Sequence, residues 1–122
     1  RTTGVQRVYL TDTKHIDLVK GGLANTSLAD MTLSASAKIY IKYLEDDASK
    51  YVIVGFGNEA DNVTATVNNG DATFFELGRL YGNEWMIIPW SGASNVGDIT
   101  VQPSNATSAD KAIVEYIVFF ED

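Results

Sequence analysis

From residue 29 onward the chain alternates. Ala29, Met31, Leu33, Ala35, Ala37, Ile39, Ile41 and Tyr43 are apolar or aromatic, and Asp30, Thr32, Ser34, Ser36, Lys38, Tyr40 and Lys42 stand between them. Successive side chains of a strand point to opposite faces, so this pattern gives one apolar and one polar face. Fifteen residues is long for one strand, and the small residues Ser34 to Ala37 predict a bend or bulge where it changes sheets. Shorter strands are predicted over Val5–Leu10, His15–Val19, Tyr51–Phe56, Val63–Val67, Thr73–Leu77, Glu84–Ile88, Asp98–Gln102 and Ala112–Phe120. Helical 3.6-residue periodicity is nearly absent.

Turn-forming clusters separate these segments: Thr11-Asp12-Thr13, Gly21-Gly22, Glu45-Asp46-Asp47, Asn58 to Asn62, Asn68 to Asp71, Gly82-Asn83 and Ser91 to Gly97. Asn69-Gly70 predicts a hairpin between Val63–Val67 and Thr73–Leu77, because both residues accept positive φ. Pro103 closes a strand, since it has no N–H to give to a ladder. Many short strands with frequent turns predict an all-β, antiparallel two-sheet β-sandwich, jelly-roll or immunoglobulin-like, with a small closed barrel as the alternative. Nothing resembling a linker or an internal repeat interrupts residues 1–122, so one domain is expected. Residues 1–6 read as a possible extended arm lying on a neighbouring subunit, with Arg1 and Arg7 as its candidate contacts. Tyr51–Phe56 and much of Ile113–Phe120 are apolar on both faces, which means a central strand or a strand covered by another chain.

Composition adds boundaries. The chain has 122 residues, 45% hydrophobic and 20% charged, enough for one core. No apolar run approaches the ~20 residues of a membrane helix, so no membrane is expected as a partner. The absence of Cys excludes disulfides and Cys-based zinc sites. The net charge of −7 argues against a nucleic-acid groove. It is unevenly spread: residues 1–44 carry six basic and three acidic side chains (+3), and residues 45–122 carry three and thirteen (−10). One reading is solvated surface; the other is a mildly basic segment meeting an acidic face of a neighbouring copy or shell.

Catalytic chemistry finds few residues. His15 is the one histidine, and there is no Gly-x-Ser-x-Gly elbow to accompany it. Metal and cofactor sites are expected to be none, although Glu45-Asp46-Asp47 and Asn58 to Asn62 offer the oxygen ligands Ca²⁺ takes, without the spacing of a calcium loop. Glu76 and Glu84 are a nominal acid pair whose separation sequence cannot fix. Gly55-Phe56-Gly57 lacks the rest of a phosphate-binding loop. Asn25, Asn62 and Asn105 begin Asn-x-Ser/Thr triplets, relevant only in a glycosylating host. The aromatic residues Tyr81, Trp85 and Trp90 gather around Gly82-Asn83-Glu84 and are the candidate interface or sugar-contact residues. Alternation puts Trp85 and Ile87 on one side of their strand, Met86 and Ile88 on the other.

Tyr51-Val-Ile-Val-Gly-Phe-Gly, the acidic loop after it, Gly82-Asn-Glu-Trp-Met-Ile-Ile-Pro and Gly97-Asp-Ile-Thr-Val together resemble small β-sandwich virion proteins of tailed bacteriophages, such as capsid decoration (cement) and minor head or tail proteins. The resemblance covers residues 50–120 and transfers no site residue. It implies a non-enzymatic virion structural protein that binds a major capsid or other lattice protein in many copies, often as a trimer, at the surface of the particle. Two alternatives stand beside it: a subunit of an extracellular filament joined by strand addition, and a carbohydrate-binding module using Tyr81, Trp85 and Trp90.

Overall fold

The computed structural model describes residues 2–13, 16–19, 37–56, 75–90 and 99–120. These residues form eight strands and no helix: β1 (Gln6–Leu10), β2 (Ile16–Val19), β3 (Ala37–Leu44), β4 (Tyr51–Phe56), β5 (Phe75–Tyr81), β6 (Trp85–Trp90), β7 (Ile99–Pro103) and β8 (Ala112–Phe120). They build two four-stranded antiparallel sheets. Sheet A has the order β1-β8-β3-β6 and sheet B the order β2-β7-β4-β5.

The pairing is nested. β4 pairs with β5, β3 with β6, β2 with β7 and β1 with β8, as though one long hairpin were rolled up. Two further ladders, β3 with β8 and β4 with β7, close each sheet across its middle. Among the described residues, β4–β5 is the one pair of consecutive strands that share a ladder. That wiring is a jelly roll rather than the hairpin-rich immunoglobulin arrangement, and among the described residues each sheet keeps two edges, unlike a closed barrel.

The alternation in the sequence becomes the core. Ile39, Ile41 and Tyr43 of β3, Val114, Tyr116 and Val118 of β8, Leu10 of β1 and Trp90 of β6 face Val52, Val54, Leu80, Ile99, Val101 and Leu18 across the sandwich. Each fully buried aliphatic side chain contributes about 1.5–3 kcal/mol, so these two inner faces dominate the stability. Tyr43 is wholly buried, and its hydroxyl has no hydrogen-bond partner among the described residues. Burial, with Glu45 close by, pushes its pKa up.

Several boundaries differ from expectation. The long alternating segment enters its sheet at Ala37, where the small residues predicted a bend; residues 29–36 lie outside the described residues. The strand expected over Thr73–Leu77 is found at Phe75–Tyr81, because it runs through Gly78 instead of stopping before it, next to a register shift between Val54 and Gly55. The Asn69-Gly70 hairpin and Val63–Val67 lie outside the described residues. Over Thr2–Gln6 the expected arm follows the chain's own β8. Thr2 bridges Phe119, the Thr3 N–H donates to Val118 O at 3.0 Å, and the Val118 N–H donates to Thr3 Oγ1 at 3.1 Å. Backbone donors and acceptors along β8 supply partners that an extended arm otherwise leaves to water.

Candidate functional site

The inner faces are consumed by the core, so function falls to the outer faces and the loop ends. The outer face of sheet A is laid out by its registers. One row is Tyr9, Ile113 and Leu44; the next is Arg7, Glu115, Lys42 and Trp85; then Ile117, Tyr40 and Ile87; then Phe119, Lys38 and Pro89. Polar rows belong outside a sandwich, yet this face is half apolar. Trp85 is 60% exposed, Tyr9 56% and Ile87 51%, and Phe119 is also exposed. Scattered exposed apolar residues are ordinary; here four of them, from β1, β6 and β8, share one outer face.

Glu115 organises the centre of the patch. Its Oε1 accepts from Arg7 Nε at 3.3 Å and Nη2 at 3.2 Å, and its Oε2 accepts from the Tyr40 hydroxyl at 3.4 Å. Tyr40 in turn lies against Trp85, with ring centroids 6.2 Å apart. Loss of water, followed by the negative charge of Glu115, raises the Tyr40 pKa. Arg7 is more than half exposed, so its ion pair is worth at most about 1 kcal/mol and serves to orient rather than to stabilise. With Arg7, Lys38 and Lys42 against Glu115, the face carries a net charge of +2 (three minus one) on a chain of net −7.

The described loop end of the sandwich has the opposite sign. Connections β1–β2, β3–β4, β5–β6 and β7–β8 meet there, and among the described residues they hold Asp12, Glu45, Asp46, Asp47, Glu84 and Asp110 against Lys50 and Lys111, a balance of −4. Lys50 Nζ bonds Asp110 Oδ2 at 3.0 Å, which raises the Lys50 pKa. Asp47 Oδ1 accepts from the Ser49 hydroxyl at 2.6 Å and the Ser49 N–H at 2.9 Å, and these bonds lower the Asp47 pKa. Glu45 Oε1 accepts from the Asp47 N–H at 3.1 Å and Glu84 Oε1 from the Tyr81 N–H at 2.8 Å. These carboxylates therefore fold the loops rather than converge on a cation. Among the described residues no group of three His, Asp or Glu side chains is arranged to hold a metal ion.

The three aromatic residues singled out from the sequence are not brought together. The turn Gly82–Glu84 passes the chain from sheet B to sheet A. Tyr81 thus lies on the outer face of sheet B, with its ring 5.3 Å from Tyr51, whose own ring is covered by the Arg79 guanidinium at 4.5 Å. Trp85 lies on the outer face of sheet A. Trp90 corrects the expectation outright: it is in phase with Met86 and Ile88 and is 3% exposed, a core residue. Arg7 is an edge-strand residue on the face, and Arg1 and His15 lie outside the described residues. So do Asn25 and Asn62; Asn105 is exposed in the β7–β8 loop. Glu76 pairs loosely with Arg79 at 3.9 Å, on sheet B. The sequence did not single out Tyr9, Tyr40, Lys38, Lys42 or Glu115. The signal for them was β8, apolar on both sides.

No family model and no curated protein matches the chain. Among solved structures it is similar to an HTH_3 family transcriptional regulator from Vibrio cholerae, at 15% identity and a TM-score of 0.45, over 98% of this chain and 45% of that one. It is similar to the Yersinia pseudotuberculosis-derived mitogen at 9% identity and a TM-score of 0.44, over 100% and 87% of the two chains. A third is an IMPa metallopeptidase in complex with T-antigen, at 13% identity and a TM-score of 0.44, over 98% of this chain and 12% of that one. The chain spans less than half of the first of these. At such identities the question of function returns to the chain's own surface.

Proposed function

We propose that the chain is a non-enzymatic structural protein of a virus particle, of the decoration or minor head kind, which binds a protein lattice through the outer face of sheet A. The observation that carries this reading is the exposure of Tyr9, Trp85, Ile87 and Phe119 on one outer face, with Lys38, Lys42 and the Arg7–Glu115 pair set among them. Exposed aromatic residues flanked by Arg are the usual anchors of protein contacts. Jelly rolls recur in capsid domains, which agrees with the pattern-level resemblance of residues 50–120 to phage virion proteins.

Strand addition into a filament is less well supported. Edge strand β6 carries Pro89, β2 is four residues long with a register shift, and β5 runs beside another register shift, features that blunt an edge. The sugar-binding reading loses its platform, since Tyr81, Trp85 and Trp90 occupy three different environments.

The test is co-sedimentation of the full chain with shells assembled from the major capsid protein encoded beside it. Trp85→Ser combined with Ile87→Ser is expected to weaken binding by about tenfold or more, and Tyr81→Ser to leave it unchanged. Absence of binding to any such shell, with glycans quenching Trp85 fluorescence instead, would replace this reading by the lectin one.

A further inference from the structure

The patch on sheet A and the acidic loop end are two surfaces of one molecule with opposite charge. We infer that the outer face of sheet A receives the acidic loop end of a second copy of this chain, head to tail. The inference rests on the reading that this face is a docking surface and names its occupant in the free protein, so that self-association and shell binding compete for one surface.

Charge decides against the simpler pairing. Two copies meeting face to face would set Arg7, Lys38 and Lys42 of one against the same three cations of the other, with one Glu115 on each side. The loop end offers the complement: Asp46 and Asp47 are exposed, as are Glu84 and Asp110, around the tight turn at Gly82-Asn83. Size makes this choice matter. A four-stranded face of about seven residues' length covers roughly 19 by 23 Å, on the order of 450 Å². A standard interface uses about 800 Å² per partner. Apolar burial on this face alone gives weak association, so the charge match selects which surface binds and in what orientation. The loop end lies along the strands while the face looks across them. Each contact therefore turns the next copy roughly through a right angle, which gives a ring where the rotation closes and a helix rather than a straight fibre where it does not.

The experiment is sedimentation velocity of the 122-residue chain across concentration and ionic strength. Self-association is expected, weakening as salt rises, a readout that needs no variant to fold. Lys38→Glu with Lys42→Glu should weaken it by about tenfold, as should Asp46→Lys, each with an unchanged circular dichroism spectrum. Joining Lys38→Glu and Lys42→Glu, which take the face to −2, with Asp46→Lys, Asp47→Lys and Asp110→Lys, which take the loop end to +2, should restore association, since the two surfaces are then opposite in sign again. Association indifferent to salt and to reversal would overturn the inference. So would failure of that charge-swapped variant, folded by circular dichroism, to recover. A chain that stays monomeric throughout yet binds shells refutes the head-to-tail contact and leaves the lattice reading standing. A chain that self-associates as described but binds no shell does the reverse.

Discussion

Gly82 sits where the β5–β6 turn is pressed against the β3–β4 loop. A Cβ added there would lie 2.6 Å from the carbonyl oxygens of both Glu45 and Asp47, and both are backbone atoms that cannot swing away. Asn83 beside it has φ 65°, an αL conformation that Asn tolerates better than most residues. Its N–H donates to Tyr43 O at 2.9 Å, tying the turn to β3. Gly82→Ala should therefore lower stability by about 1–3 kcal/mol, as overpacking does, read as a shift in the urea midpoint. Gly78 is the control. A Cβ there meets nothing within 4 Å, so Gly78→Ala should be neutral or mildly stabilising in the same assay.

At the scale of elements, β6 states the division of labour most clearly. Its odd positions Trp85, Ile87 and Pro89 look outward and its even positions Met86, Ile88 and Trp90 look inward. Trp90→Ala should cost about 3–5 kcal/mol, while Trp85→Ala should change stability by no more than about 0.5 kcal/mol, both by chemical denaturation. The period-2 pattern put Trp85 and Ile87 opposite Met86 and Ile88, but the strand was expected to end at Ile88, so the buried place of Trp90 was not read from it. What was not legible is the crossing at Gly82–Glu84, because a tight turn reads the same whether it joins partners in one ladder or passes between sheets. The strands themselves were largely visible, since Tyr51–Phe56 and Ala112–Phe120 are apolar almost throughout, with Glu115 the one charged residue between them, and are bounded by turn residues. Their registers were not, because pairings such as Lys42 with Glu115 join residues far apart in the chain. The outer face of sheet A arises from those registers, so nothing in the sequence joined Tyr9 and Glu115 to the Lys38, Tyr40 and Lys42 face of β3 or to Trp85 and Ile87.

The molecule as a whole is organised by nesting, with Gln6 opposite Tyr116 at one extreme and Phe56 opposite Phe75 at the other. Contacts of such long sequence separation require costly loop closure before they are formed. Refolding is expected on the order of milliseconds to seconds, as for other all-β sandwiches, and stopped-flow Trp fluorescence measures it through Trp90. A microsecond phase accounting for the full amplitude would contradict the nested architecture.

The alignment of Thr2 with Phe119, at the same edge of the same ladder, has a mechanical consequence. Tension pulled through those two points would not shear β1 along β8 against all its hydrogen bonds at once. It would open them one rung after another, as a zipper opens, at low force. A molecule wired this way yields early when it is drawn apart between Thr2 and Phe119.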